Sequence, residues 1–181
     1  MSPGLSASLA AHRPAALPHR EALILALFAN HPGLLGVHAE ELAGLDLSSR
    51  DMSALRDGLI GLASDGTLDL DHVDERLARD DLQPVWRRIN AMAAIASLWL
   101  VRRDAAESEV DLALRQALGL QRKTSRLHRE LQLAELALAE DPTELNLARM
   151  RDIQAELASL EGQEAAIEGF GSLSGMATQP V

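Results

Sequence analysis

The chain has 181 residues, which is enough for one medium domain or for a small domain with an appended element. Hydrophobic residues make up 47% of it and aromatic residues only 2%, a composition typical of an all-helical protein built on Leu, Ala, Ile and Val. The absence of cysteine excludes disulfides, thiolate chemistry and cysteine-ligated zinc, and the net charge of −10 argues against a surface that binds nucleic-acid phosphates.

Residues 1–18 are rich in Ser, Ala, Pro and Gly and have too few periodic apolar residues to pack. We interpret this segment as a flexible linker remnant, because it lacks the compact apolar run of a secretory signal. No apolar run anywhere approaches the roughly 20 residues that a membrane-spanning helix needs. We therefore expect a cytoplasmic protein that does not bind membranes.

A compact bundle of five short helices is predicted within residues 19–99, because helically spaced apolar residues alternate there with brief turn signals. The expected helices span 21–30, 37–43, 48 or 49–65, 71–79 and 83–95. Asn30-His31-Pro32-Gly33 ends the first, and Asp65-Gly66 ends the third. Trp86 and Trp99 are expected to anchor the core where the bundle joins the next element.

Residues 100–168 are predicted to form a long helix and a returning arm, with a flexible Gly/Ser-rich tail at 169–181. Between 103 and 139 there is no proline, and a continuous helix of that length would be ~50 Å long. Gly119 interrupts the pattern as a possible hinge, since Gly costs about 1 kcal/mol relative to Ala inside a helix. Apolar or small residues recur there in alternating steps of four and three, which is a heptad pattern. The seam residues of the first arm are Ala113, Ala117, Leu120, Thr124, Leu127, Leu131, Ala134 and Leu138. The second arm repeats the pattern with Met150, Ile153, Leu157, Leu160 and Ile167.

The two arms meet at Asp141-Pro142-Thr143-Glu144, which predicts a tight turn. Asp141 is expected to cap the second helix, with Pro142 in its first position and Glu144 completing a capping box. The fold class predicted is thus all-α, with a compact helical bundle followed by a long helix and a projecting antiparallel helical hairpin.

Three segments in this order resemble the C-terminal helicase-binding domain of bacterial replicative primase, DnaG, of the alphaproteobacterial type. They are LFANHPGLL, then HAEELAGLDLSSRDMSALRDGLIGLASDG, and finally LHRELQLAELALAEDPTELNLARMRDIQAELASLEGQEAAIEGFGSLSG. The likeness covers about residues 20–175. Each segment is a leucine-rich helical pattern, and the order of the NHP motif, the MSALRDG helix and the DPTE turn is more specific than any one alone.

The resemblance implies a non-catalytic interaction domain that binds the N-terminal domain of the hexameric replicative helicase, DnaB, and couples RNA primer synthesis to the fork. The zinc domain and the acidic polymerase core of a full primase are not present, so the chain would be a fragment that makes no primers. It implies no catalytic residue, no cofactor, no metal and no direct nucleic-acid binding. The alternative function is a free-standing helical adaptor or a coiled-coil regulator that pairs through its heptads.

Other residue clusters have simpler interpretations. None of the six histidines has the HxxxH or HExxH spacing of a metal site, so structural or solvent-exposed roles are favoured. The acidic stretch 65–71 lacks the ligand pattern of a calcium loop and is interpreted as a turn with capping carboxylates. The basic groups at 87–88, 102–103 and 122–129 are interpreted as solvated faces or as a match to an acidic partner.

The predicted partner-binding residues lie near the turn: Leu136, Leu138, Leu145, Leu147 and Met150. Leu136 and Leu138 cannot face the same way on a helix, nor can Leu145 and Leu147. One of each pair should therefore point away from the seam, and exposed apolar groups at a tip are typical of a partner site. The alternative is that these residues only broaden the seam between the arms.

Overall fold

The computed structural model describes residues 19–95 and 99–170, with side chains described for 19–91 and 99–160. The predicted linker remnant at 1–18 and nearly all of the predicted tail, from 171 onward, lie outside these residues, as do the side chains of Met92 and Ile167. In the ranges described, every regular element is a helix and there is no strand. The predicted all-α fold class is therefore confirmed.

Seven α-helices follow one another in the described ranges, with two short 3-10 turns at Pro32–Leu34 and Trp99–Val101. The helices are α1 (His19–Asn30), α2 (Leu35–Ala43), α3 (Arg50–Asp65), α4 (Leu70–Arg79), α5 (Gln83–Ile95), α6 (Glu107–Glu140) and α7 (Glu144–Phe170). All five helices predicted for the bundle are present, and their ends differ from the predicted ones by two residues or fewer. Helix α7 continues two residues into the range predicted as tail.

Capping residues determine the ends of α3 and α4. The Ser49 hydroxyl accepts a hydrogen bond from the Met52 N–H at 3.2 Å, and Gly66 ends the helix in the left-handed region at φ 72°. The Asp69 carboxylate accepts the His72 N–H at 3.0 Å and so caps α4. The acidic stretch 65–71 is thus a turn with a capping carboxylate, as interpreted from the sequence.

Helix α1 is the centre of the bundle and is buried on almost every side. The side chains of Ile24, Leu25, Leu27 and Phe28 have no solvent exposure, and the helix contacts α3, α5 and α6. A helix with apolar residues on all sides can remove them from water only where other helices surround it, inside a core. The long apolar run around residues 22–29 is therefore explained by the fold.

Helix α6 belongs both to the bundle and to the hairpin. Val110, Leu114, Ala117 and Leu118 in its first half are part of the bundle core, while its second half packs along α7. The range 100–168 assigned to the hairpin subdomain thus contains a stretch of helix that completes the bundle core. Helix α6 also continues without a break through Gly119, so the predicted hinge does not interrupt it.

The prediction that both tryptophans anchor the core is confirmed for Trp86 and wrong for Trp99. Trp86 is buried in the bundle core, but the Trp99 side chain is 50% exposed. Trp99 lies in a single 3-10 turn, Trp99–Val101, in which only Val101 is buried. One turn presents one side to the core, and the smaller valine takes that position.

Across the described ranges, no single helix is both long and apolar enough to cross a membrane. Helix α1 and the segment Pro32–Ala43 pass that test as a pair on length and composition, but the two are bent by 100°. Helix α1 owes its apolar composition to its position in the bundle core.

Candidate partner-binding site at the hairpin tip

The hairpin seam is an apolar cluster between α6 and α7 that positions the tip. Leu127 and Ala134 of α6 pack with Ile153, Leu157 and Leu160 of α7, and all five are buried. Leu120, Leu131 and Met150 are partly buried against the cluster. The predicted heptad seam is therefore confirmed from Leu120 to Ala134 on α6 and from Met150 to Leu160 on α7, except that Thr124 is not part of the cluster. Ala117, which was predicted to be in the seam, packs in the bundle core instead.

The turn at the tip is built differently from the prediction. Helix α7 begins at Glu144, and its cap is Thr143, whose hydroxyl accepts the Asn146 N–H at 3.3 Å. Asp141 instead ends α6 in an extended conformation, as expected for a residue before proline. The predicted Asp141 cap and the capping box with Glu144 are therefore wrong.

Asn146 links the two arms at the turn. Its side-chain amide donates to the Asp141 carbonyl at 2.8 Å and to the Ala137 carbonyl at 3.4 Å. Both carbonyls also accept backbone N–H groups, from Thr143 at 2.8 Å and from Asp141 at 2.9 Å. Asn146 therefore adds a second donor to each carbonyl and joins the start of α7 to the end of α6.

The leucines near the tip divide into inward and outward members, as their spacing predicted. Leu136 is 61% exposed and Leu145 is 78% exposed, whereas Leu138 and Leu147 are half-buried. Leu138 occupies a seam position, so the seam is already complete without Leu136. The geometric expectation is confirmed, and two large apolar side chains are left in solvent beside the turn.

One of the predicted site residues contributes differently from the others, and one exposed neighbour was not predicted. Met150 packs against the seam cluster and so supports the tip more than it offers a surface. Leu133 was not predicted, yet it is 61% exposed and lies three residues before Leu136 on the same helix face. Its position outside the heptad seam was the signal that could have identified it.

Polar contacts hold the first half of α6 firmly on the bundle. The buried Gln121 amide donates to the Glu21 carboxylate at 3.2 Å and to the Asp46 carbonyl at 3.3 Å. The same Glu21 carboxylate accepts the N–H and the hydroxyl of Ser48, both at 2.9 Å. These bonds therefore brace α6 against the bundle well beyond Trp99.

His38 forms a second link between the bundle and α6. Its ring nitrogens lie 3.0 Å from the Glu41 carboxylate and 2.7 Å from the Asp111 carboxylate. Burial lowers the pKa of His38, but the hydrogen bonds to Asp111 and Glu41 outweigh burial and hold that pKa above its ordinary value. The hydrogen bond from His38 in turn lowers the pKa of Asp111. An imidazolium that donates from both nitrogens fits this arrangement.

Most basic side chains along α6 are neutralised by carboxylates of the same chain. Arg122 pairs with Glu41 at 2.9 Å, Lys123 with Glu156 at 2.9 Å and Arg129 with Asp46 at 3.2 Å. Arg126 and Arg115 pair with carboxylates within the helix itself. Arg122, Lys123 and Arg129 therefore tie α6 to its neighbours, and all five cations have a carboxylate partner.

Four histidines of the described segments, His31, His38, His72 and His128, have structural contacts. His31 bonds the Leu100 carbonyl at 3.1 Å, and His128 bonds the Thr124 carbonyl at 2.9 Å. Among residues 19–95 and 99–170, no three His, Asp or Glu side chains are grouped so as to hold a metal ion. The outward leucines at the hairpin tip are thus the candidate site that the geometry supports best.

Comparison with protein-family models, with curated proteins and with solved structures gave no match to this chain.

Proposed function

We propose that this chain is a non-catalytic interaction domain that binds the N-terminal domain of a DnaB-type replicative helicase and so couples primer synthesis to the replication fork. The proposal combines the resemblance of the segment order to the primase domain with the site at the hairpin tip. The observation that carries it is the exposure of Leu136 and Leu145 beside a turn whose seam is already filled.

Exposed leucines at the end of a rigid arm are suited to insertion into a partner's groove. Burying two leucine side chains contributes about 3–6 kcal/mol before the costs of association. The bracing of α6 by Gln121 and His38 reduces those costs, because the tip is presented in one direction. A micromolar interaction corresponds to about 8 kcal/mol, so further contacts around the two leucines are required.

The second candidate function is a free-standing adaptor or regulator that pairs with another copy through its heptads. The heptad residues of α6 are already covered by α7, since Leu127, Ala134 and Ile153 are buried against one another. Pairing of two copies would have to use the other face of α6, where Leu133 and Leu136 are exposed. Sedimentation equilibrium of the chain alone tests the paired form of this alternative, because a regulator that pairs through its heptads must be a dimer in solution.

The helicase proposal is tested by calorimetric titration of the chain with the N-terminal domain of the replicative helicase from the same bacterium. Leu136→Asp/Leu145→Asp should abolish binding and leave the helical circular dichroism unchanged, since both side chains are already in solvent. Val37→Asp/Leu112→Asp is the matched control, because these residues are 77% and 56% exposed and lie on α2 and in the first third of α6. Equal binding by both double variants would refute the assignment of the tip, and no binding by the unaltered chain would refute the function.

A further inference from the structure

Resting on the proposed function, we propose that the helicase surface that receives the hairpin tip is an apolar groove rimmed by lysine and arginine. In this arrangement the leucines provide most of the affinity, and the charges around them accelerate the encounter. The charges beside Leu136 and Leu145 indicate such a partner by their negative sign, their lack of ion pairs and their position.

The tip between Arg129 and Arg149 carries charge of one sign only, and the nearest cation on α7 is the exposed Arg149, one turn after Leu145. Between Arg129 and Arg149 the sequence contains five carboxylates and no Lys, Arg or His. The carboxylates are Glu130, Glu135, Glu140, Asp141 and Glu144. Nineteen residues that surround the two outward leucines therefore carry a net charge of −5, being five acidic and no basic residues.

The carboxylates closest to the turn are also unneutralised. Within the described part of the chain, Glu130 pairs with Arg126, but no ion pair is formed by Glu135, Glu140, Asp141 or Glu144, which are all exposed. The basic residues of α6 show the opposite behaviour, because each is paired with a carboxylate of this chain. The negative potential at the tip is thus left available to a partner.

The position of one of these charges works against folding. Glu140 is the last residue of α6, where the exposed carbonyls give the helix a partial negative charge that favours a cation. A carboxylate there is therefore unfavourable for the end of the helix. Residues that oppose a local rule of stability are expected at functional sites. The position of Glu144 does not distinguish a functional role from a structural one, since the first turn of α7 favours an acidic residue in any case.

An apolar patch surrounded by unpaired carboxylates is complementary to an apolar groove with a cationic rim. Charges at the rim of an interface change the association rate and its salt dependence more than they change the dissociation rate. A nucleic acid is excluded as the occupant by the sign of the charge, because phosphates would be repelled. The partner that fits this tip is a basic protein surface.

The test measures association kinetics of the chain with the helicase N-terminal domain by stopped-flow fluorescence across a range of NaCl concentrations. The unaltered chain should associate more slowly as salt increases. Glu135→Gln/Glu140→Gln should lower the association rate by about 3–10-fold at low salt and leave the dissociation rate nearly unchanged. The charge-preserving variant Glu135→Asp/Glu140→Asp should associate at the original rate.

The control variant is Glu40→Gln/Glu75→Gln, which removes the same two charges from exposed, unpaired positions on α2 and α4. Its association rate should match that of the unaltered chain. Binding that is insensitive to salt, or equally slowed by tip and control variants, would overturn the basic rim while leaving the proposed function intact. No binding by the unaltered chain would overturn the proposed function and the rim with it.

Discussion

Replacing His38 tests how firmly the bundle holds the helix that carries the tip. In His38→Gln both donors sit on one amide nitrogen and not on two ring nitrogens that face different carboxylates, so we expect one of the contacts at 3.0 Å and 2.7 Å to be lost. A hydrogen bond to a charged group contributes about 1.5–3 kcal/mol, and we expect the free energy of unfolding to fall by that amount near pH 6. The loss of stability should be about that of one hydrogen bond, because neither carboxylate is left without a cation. Arg122 still pairs with Glu41, and Arg115 still pairs with Asp111.

The cost of His38→Gln should depend on pH with a definite sign. The pKa of His38 is raised in the folded chain, so its contribution is complete below the unfolded value of about 6.5 and is lost as pH rises through the folded pKa. The pKa of Asp111 is lowered, so its contribution persists well into acid. The difference between the two proteins should therefore shrink steadily from pH 6 to pH 9.

Urea unfolding followed by circular dichroism at several pH values measures this difference. His72→Gln is the matched control, because His72 faces the Asp69 carboxylate at 2.7 Å but both groups are exposed and screened by solvent. Its effect should be much smaller at every pH. A His38→Gln cost that is constant or grows with pH would refute the charged bridge between α2 and α6.

Three further substitutions test the hairpin and its attachment. Thr143→Ala should destabilise the hairpin by about 1 kcal/mol, because it removes the cap of α7. Asp141→Ala should lower the free energy of unfolding by less. Equal losses of stability in urea unfolding would show that Asp141 is the cap. Ile153→Ala should lower the free energy of unfolding by about 2–5 kcal/mol. The unfolding midpoint measured by circular dichroism should fall more than the midpoint measured by Trp86 fluorescence, because the seam and the bundle are separate clusters. Coincident shifts would mean that the two unfold as one unit. Gln121→Leu should cost about 1–3 kcal/mol in fluorescence-detected unfolding, since it removes a donor from the buried carboxylate of α1; an unchanged midpoint would contradict the bracing of α6.

Most of the secondary structure could be predicted because its determinants are local. Ser49 and Gly66 act on neighbouring backbone groups, and the heptad spacing of α6 needs only an apolar partner at the same spacing. The outward direction of Leu136 followed from helical geometry in the same way. These features depend on residues within a few positions of one another.

The attachment of α6 could not be predicted, because it depends on residues far apart in the chain. His38 and Asp111 are 73 positions apart, and Glu21 and Gln121 are 100 positions apart. In the sequence each looks like an ordinary polar residue on a helix surface. Only the packing of α6 against the bundle brings them together.

The turn shows how two valid local patterns compete. Asp141 and Thr143 are both good capping residues, and the sequence alone does not rank them. In the structure Thr143 is the cap, since its hydroxyl accepts the Asn146 N–H, and the Asn146 side chain also bonds the carbonyls of Ala137 and Asp141 at the end of α6. That contact exists only after the second arm has folded back, so a reading of one helix at a time misses it.

Hydrogen exchange of the chain with and without the helicase N-terminal domain tests the central claim most directly. Amides near the ends of α6 and α7 exchange readily in the free chain, because helix ends open locally. The proposed function predicts protection confined to the tip, from about Leu133 to Leu147, with the exchange of α3, α4 and α5 unchanged. Protection that falls on the bundle and spares the tip, or no protection anywhere, would contradict it.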